Sequence, residues 1–365
     1  MTTTIVHLTY SLGFGGLEQV IINLINCSQH YDARHVIITL KDELDLVDSI
    51  NSDVAVHTLN KKDGNDLNSH IRLFKLLRTI RPDVLQTYNF GTIEYHLTGK
   101  LAGVKTQIHS DHGRGGDSSN GLGRKQNYLR KICAKTIDNY VVVSPDLYQW
   151  GETVLQLEAR QLKLIFNGVD VDRYQPDNSK EKDGVDFNIC TVGRAHPIKN
   201  QSLLIHAFIR ANEISANFSK ASLTIIGDGP ILEDLRTEVK SLGFDHRITL
   251  PGYRKDIPSI MQASNLFVLS SDYEAMPMTI LEAMACELPV ICTDVGGARY
   301  LLSENEGWLV EKGDKEDMAQ AMLACFNNQG LAREKSLAGR EKVVGNYSIK
   351  NMVAEYMTLY GAEEK

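Results

Sequence analysis

Short apolar runs rich in β-branched residues alternate with helix-length amphipathic segments through most of this chain, and that alternation constrains its fold more than any other feature. TIVHLTY (4–10), HVIITL (35–40), DVLQTY (83–88), TQIHS (106–110) and YVVVS (140–144) read as strands, several of them apolar on both faces. Between them LEQVIINLINC (17–27) and IRLFKLLRTIRP (71–82) read as helices, the second stopped by Pro82. This succession describes a doubly wound, mostly parallel sheet. The polar, turn-rich stretch 167–186 interrupts it and reads as a linker. The pattern then restarts with FNICTVG (187–193), SLTIIG (222–227), NLFVLS (265–270) and PVICT (289–293), and 348–365 reads as a closing helix. Two α/β domains are expected, at 1–182 and 183–347. The length of 365 residues agrees, at about 150 residues per domain.

Several function classes fall away on composition. MTTTIVHLTY has neither a basic start nor a cleavage site, so no signal peptide is expected. No apolar run approaches the roughly 18 residues of a membrane span. The six cysteines form no C-x-x-C pair, which argues against zinc and dithiol chemistry and for buried thiols in a reducing cytoplasm. The net charge of -7 lies wholly in residues 183–365, since 1–182 balances. Within that neutral half, 112–135 carries Arg114, Arg124, Lys125, Arg130, Lys131 and Lys135 against Asp117 alone. It reads as a solvated helix face or as a patch for an anionic surface.

In open α/β sheets ligands sit beyond the carboxyl ends of the strands, so the residues that follow strands are the candidates. After the first strand, Gly15 and Gly16 open a helix. They read as a tight turn or as a place where backbone approaches an anion. After TQIHS come His109, Asp111 and His112. A metal reading would need three convergent ligands, whereas His112 falls on the opposite face from the other two. His112 is either a satisfied strand-end histidine or a donor into a cleft. After FNICTVG, Arg194 and Lys199 bracket a turn with the chemistry of a diphosphate clamp, guanidinium fork and ammonium point charge. Asp170-Val-Asp172 has a metal-like spacing but no third ligand, and reads as turn chemistry.

SDYEAMPMTILEAMACELPV (271–290) carries two carboxylates, Glu274 in a loop and Glu282 one turn inside a helix that begins near Pro277. Met278, Thr279 and Ile280 would then offer free N–H groups to phosphate oxygens. Carboxylates at both ends and an anion site between them match a sugar nucleotide, with hydroxyls at each end and charge in the middle.

With these segments in this order, the chain resembles a family 4 glycosyltransferase of the GT-B fold, two facing Rossmann-like domains with a cleft between them. Besides Glu274 and Glu282, the resemblance rests on GGLEQ (15–19), NGVD (167–170), VGRAHPIKN (192–200), IIGDGP (225–230), TDVGG (293–297), EGWLVEKGD (306–314) and LYG (359–361). It implies that Glu282 holds the donor ribose and Glu274 the transferred sugar. Arg194 and Lys199 would bind the diphosphate with main-chain help from Gly16 and Thr279. His112 would touch the donor sugar, and backbone near Gly252 and Tyr253 would receive the base.

The resemblance further implies transfer with retention and no metal. The donor would be a nucleoside diphosphate sugar, UDP before GDP, with no tightly bound cofactor. The acceptor would be a saccharide or lipid-linked saccharide of a surface glycan, reached in the cytoplasm with peripheral contact at an anionic membrane through 112–135. The 348–365 helix is expected to pack back on the first domain. Ala275, Glu287, Tyr300 and Tyr88 depart from the family's usual residues, at the edges of the donor pocket. The competing readings are an NAD-linked oxidoreductase, a nucleotide-sugar epimerase or phosphorylase of the same fold, and a non-catalytic sugar-nucleotide-binding protein.

Overall fold

Strands apolar on both faces need helices on both sides. In the computed structural model, which describes residues 2–51, 53–114, 123–177 and 187–365, they have them. The described residues divide into two compact units, Met1–Gly168 with Ile349–Lys365, and Val169–Ser348. The chain passes between them at neighbouring points, where Val169 pairs with Ser348.

The first unit runs β1 (Thr3–Thr9), α1 (Gly16–Asn26), β2 (Ala33–Thr39), β3 (Ala55–Thr58), α2 (Leu67–Ile80), β4 (Val84–Tyr88), α3 (His96–Ala102), β5 (Thr106–Asp111), α4 (Arg124–Ala134), β6 (Asn139–Val142), α5 (Pro145–Trp150) and β7 (Leu162–Leu164). The seven strands are parallel in the order β3-β2-β1-β4-β5-β6-β7. That order reverses beside β1, which makes the ends of β1 and β4 the switch point. Side-chain caps set several helix starts. Asp66 accepts from Asn68 N–H at α2 and Ser144 from Leu147 N–H at α5. Arg81 ends α2 in the left-handed region just before Pro82. The C-terminal helix Ile349–Tyr360 belongs to this unit, its Tyr356 hydroxyl 3.1 Å from Ser110 Oγ.

The second unit runs β8 (Phe187–Val192), α6 (Gln201–Ile214), β9 (Ala221–Ile226), α7 (Leu232–Ser241), β10 (Ile248–Gly252), α8 (Ile257–Ala263), β11 (Leu266–Leu269), α9 (Met278–Ala285), β12 (Val290–Thr293), α10 (Ala298–Leu301), β13 (Trp308–Val310), α11 (Lys315–Asn327) and α12 (Gln329–Asn346). Its six parallel strands are ordered β10-β9-β8-β11-β12-β13. The core is aliphatic with an aromatic knot of Phe187, Phe208 and Phe218. Among the described residues no helix is long and apolar enough to cross a membrane.

The end of α9 carries a local strain. Leu288 N–H bonds to Ala283 O and Glu287 N–H to Met284 O, a Schellman closure that puts Glu287 at φ +56°. Only glycine holds that conformation without a Cβ penalty. Glu287→Gly is therefore expected to stabilise the second unit by about 1 kcal/mol, part of the Cβ relief being offset by glycine's greater unfolded-state entropy. Thermal unfolding should register this as an upward shift of roughly 2–4 °C; a fall in the midpoint would mean that the glutamate side chain contributes a contact worth more than the strain.

Candidate active site

In the second unit, the loops leaving β8 and β11 meet. Gly227, at φ +140°, and Gly229, at φ +154°, press the loop after β9 against the loop after β8 so closely that a Cβ on either would strike Gly193 O or Ala195 O. Ala195 N–H in turn bonds to Asp228 O at 2.9 Å. This packing fixes the turn 194–199. From it Lys199 reaches the β11 loop, with Nζ 2.5 Å from Glu274 Oε1. Ser271 Oγ donates to the same oxygen at 2.6 Å and is fully buried. Glu274 is 8% exposed, so two donors satisfy a nearly buried carboxylate.

The 293–297 segment holds that loop from below. Gly297 N–H bonds to Glu274 O at 2.8 Å, and Thr293 Oγ1 donates to Ser271 O at 2.6 Å. A Cβ on Gly296 would strike Glu274 O and one on Gly297 would strike Ala275 O, which is why TDVGG needs both glycines. Asp272 is drawn into the same corner, its N–H bonded to Ile198 O at 2.7 Å and its carboxylate 3.2 Å from Asn200 Nδ2. Arg194 is exposed at the loop's tip and forms no ion pair among the described residues. Its carbonyl accepts from Gln201 Nε2 at 2.9 Å.

Pro277 is the N-cap of α9 and supplies no side-chain cap. Met278 and Thr279 N–H meet no acceptor among the described residues. Ile280 N–H differs from the sequence expectation because it bonds to Pro277 O at 3.2 Å. The first turn tightens to an i→i+3 bond after the proline, which leaves two outward N–H groups rather than three.

Glu282 lies one turn further along α9, where burial pushes its carboxyl up to about 7. The Tyr174 hydroxyl hydrogen-bonds to it and, with the Arg173 charge, opposes that rise. Tyr174 is itself buried, so the stretch read as a bare linker delivers a side chain to the site. Asp170 does act as turn chemistry, its Oδ1 accepting from Asp172 N–H and Arg173 N–H. Gly252 ends β10 at φ +80°, its carbonyl bonded to Gly227 N–H at 3.0 Å, and Tyr253 beyond it is 42% exposed.

In the first unit, Gly15 is the N-cap of α1 and Gly16 its first residue, both exposed. The Glu18 carboxylate folds back over Gly15, and burial raises its pKa. A cavity of about 380 Å³ opens here, lined by Tyr10, Glu18, Asn89, Phe90, Gly113 and Gln126 among others. His112 stands at the end of β5, its N–H bonded to Asn89 Oδ1 at 2.8 Å. Among the described residues neither ring nitrogen of His112 has a hydrogen-bond partner, and burial lowers its pKa to about 4, so the ring is neutral.

His109 and Asp111 share a face as expected, 3.5 Å apart, yet Asp111 serves Arg130 and Tyr140 instead of a metal. Among the described residues no three metal-ligating side chains converge. The basic segment 112–135 needs correction. Arg130 is fully buried against Asp111 and cannot face an anionic surface, and Arg114, half-buried, pairs with Asp146 at 2.7 Å, whereas Arg124, Lys125 and Lys135 are exposed. Residues 115–122 of that segment, Asp117 included, lie outside the described residues.

Two family models match, "Glycosyltransferase Family 4" over residues 14–173 and "Glycosyl transferases group 1" over 172–342, which together take in all but the ends of the chain. The chain belongs to glycosyltransferase family 4. The UDP-Gal:alpha-D-GlcNAc-diphosphoundecaprenol alpha-1,3-galactosyltransferase of Escherichia coli is 29% identical over 310 residues, covering 81% of this chain and 79% of that protein. The N-acetylgalactosamine-N,N'-diacetylbacillosaminyl-diphospho-undecaprenol 4-alpha-N-acetylgalactosaminyltransferase of Campylobacter jejuni is 23% identical and covers 89% of this chain and 90% of that one. Anabaena Alr3699/HepE, solved in complex with UDP, superposes with a TM-score of 0.82 at 19% identity over 98% of this chain and 100% of that one. At that identity the likeness speaks for the fold, GT-B. This glycosyltransferase therefore has the two doubly wound units its β-α alternation called for.

Proposed function

We propose that this glycosyltransferase moves a hexose-type sugar, with retention, from a nucleoside diphosphate sugar to a saccharide or lipid-linked saccharide of a surface glycan. UDP is the first choice of nucleotide and GDP the second. The observation that carries the reading is the corner where Lys199, Ser271 and Glu274 converge beside the open N-terminus of α9. Breaking a glycosyl–phosphate bond builds positive charge on the sugar and negative charge on the departing diphosphate. Arg194, Lys199 and the N–H groups of Met278 and Thr279 would stabilise the second where it develops.

Glu274 would hold the sugar's hydroxyls and Glu282 the ribose, with the base received near Gly252 and Tyr253. From the first unit, Gly15, Gly16 and the neutral His112 would complete the donor's surroundings. For retention, an oxygen of the leaving phosphate would itself take the acceptor's proton, so no protein nucleophile and no metal are invoked. The relatives' names, with UDP-Gal as donor and diphosphoundecaprenol on the acceptors, support a UDP donor and an acceptor carried on lipid. The working place would then be the cytoplasmic face of the membrane.

Thermal unfolding with UDP, GDP, ADP, CMP and NAD, each with and without EDTA, tests the reading. At about 100 times its Kd a nucleotide adds roughly 2.7 kcal/mol, a shift of several degrees. Stabilisation by UDP that survives EDTA and disappears in Arg194→Ala is the expected result. Stabilisation by NAD alone would identify a different nucleotide site altogether, and silence from all five would favour a protein that binds its acceptor first or does not turn over.

A further inference from the structure

Tyr174 is a buried phenol in a polar turn, and a hydroxyl taken out of water needs a partner. It finds one in the Glu282 carboxylate on α9. The O–H donates to a carboxylate, which makes the contact one of the stronger, charge-assisted kind. A phenylalanine would fill the same space without a polar atom to satisfy, so the hydroxyl is what a tyrosine adds here.

The turn that carries Tyr174 is fastened at several points. Val169 N–H donates to Tyr347 O at 2.9 Å, and Tyr174 N–H donates to Asp170 O at 2.9 Å. Asp170 Oδ1 accepts from Asp172 N–H at 3.1 Å and from Arg173 N–H at 3.0 Å. Just beyond, Gln262 of α8 donates from Nε2 to Gln175 O at 2.8 Å. The Arg173 guanidinium lies over the phenol ring, 5.5 Å from its centroid. The hydroxyl is thereby presented to α9 from a fixed support.

Glu282 has fewer restraints of its own. It is half-buried, and among the described residues no other side chain hydrogen-bonds to its carboxylate. A glutamate left to itself on a helix samples several rotamers, and low-dielectric surroundings favour its neutral form. The phenol opposes both tendencies. It fixes the carboxylate in place, and by donating to the charged form it favours the anion over the acid. A carboxylate has about four acceptor sites on its two oxygens. Tyr174 takes one of them, which leaves room for both hydroxyls of a ribose. A protonated carboxyl would instead turn an O–H toward them.

We propose that Tyr174 is a positioning residue for the nucleotide: its hydroxyl holds the Glu282 carboxylate ready for the two ribose hydroxyls and so makes the site select ribose. This role rests on the reading of Glu282 as the residue that receives the ribose, and it adds a requirement that the reading alone does not contain.

The test is calorimetric titration of the full chain with three probes: UDP, dideoxy-UDP, which lacks both ribose hydroxyls, and inorganic diphosphate. The parent is expected to hold UDP at least about tenfold more tightly than dideoxy-UDP. Tyr174→Phe should lose about tenfold for UDP while dideoxy-UDP and diphosphate stay within about twofold. A role confined to folding would weaken all three alike. In the Glu282→Gln background, adding Tyr174→Phe should cost UDP nothing more, because the tyrosine acts through that carboxylate. The pair of variants Glu282→Gln and Glu282→Gln, Tyr174→Phe contains no stranded carboxylate, so it carries the comparison if Tyr174→Phe alone does not fold. Equal UDP affinity in the parent and in Tyr174→Phe overturns the proposal and leaves the UDP reading standing. A parallel loss for all three probes overturns it too, as does a further loss in the double variant. A parent chain that binds none of the probes overturns the nucleotide reading itself, and the role of Tyr174 with it.

Discussion

Glu274→Gln is expected to cut sugar transfer by about 100-fold or more while leaving UDP binding within a few-fold of the parent value. Lys199 Nζ and Ser271 Oγ both donate to Oε1, and among the described residues no donor reaches Oε2. The carboxylate is thus held by one oxygen with the other free to accept, from a position whose backbone is pinned by Gly297. An amide of the same shape has only one acceptor oxygen. It can keep Lys199 and Ser271 satisfied or present an acceptor at the Oε2 position, but not both. Its neutral oxygen also stabilises developing positive charge on a sugar less well than an anion does. UDP lacks the transferred sugar and is not expected to feel the change, and a Lys199 released from its counter-charge binds phosphate at least as well. Steady-state transfer and UDP titration on the same preparation decide the matter. A variant of normal rate removes Glu274 from the chemistry, and an equal loss of UDP affinity would mean that it acts by placing Lys199 on the diphosphate.

What the sequence made legible follows a physical line. Central strands such as β1, β4, β8 and β11 are buried on both faces and announce themselves as apolar runs. The strands that escaped notice, β3, β7, β10 and β13, are the four edge strands of the two sheets. They are short, partly exposed and in one case broken by Pro251, which is how edges avoid pairing with other chains, and such segments carry little hydrophobic signal. The same line runs through the candidate site. Glu274, Glu282, Arg194 and Lys199 could be named because charged residues after apolar strands are conspicuous. Ser271 could not, since a serine in a loop has many uses and only the geometry shows its hydroxyl on Glu274. Tyr174 was hidden by the polar company of its neighbours. Arg130 was misassigned because a charge count cannot tell a buried cation from an exposed one.

That buried cation sets the other large effect, in the first unit. Asp111→Ala is expected to destabilise the protein by about 3–5 kcal/mol, roughly 10 °C in the unfolding midpoint of that unit. Asp111 is fully buried at the end of β5. It accepts from Arg130 Nε at 3.0 Å and from the Tyr140 hydroxyl at 2.5 Å, with His109 Nε2 3.5 Å away. The Arg130 guanidinium has no exposure to water, stacks over Phe90 and Trp150, and donates besides only to Arg114 O among the described residues. Removing the carboxylate strands a full charge in that setting, and the cost is of the stranded ion rather than of the lost bond. The double variant Asp111→Ala, Arg130→Met should therefore be markedly more stable than Asp111→Ala alone, because it takes away the charge and keeps the volume. Although burial alone would raise it, the Asp111 carboxyl is held well below the usual range by the Arg130 charge and by its hydrogen bonds. Its contribution is present above the unfolded-state value near 3.9 and is lost only as pH falls through the depressed folded value. A double variant no better than the single one would show that the stability at stake lies in the hydrogen bonds to Tyr140 and not in the ion pair. The same strand end carries His112, whose N–H is fixed by Asn89, so a loosened Asp111 should also free the one donor that this unit is proposed to offer the sugar.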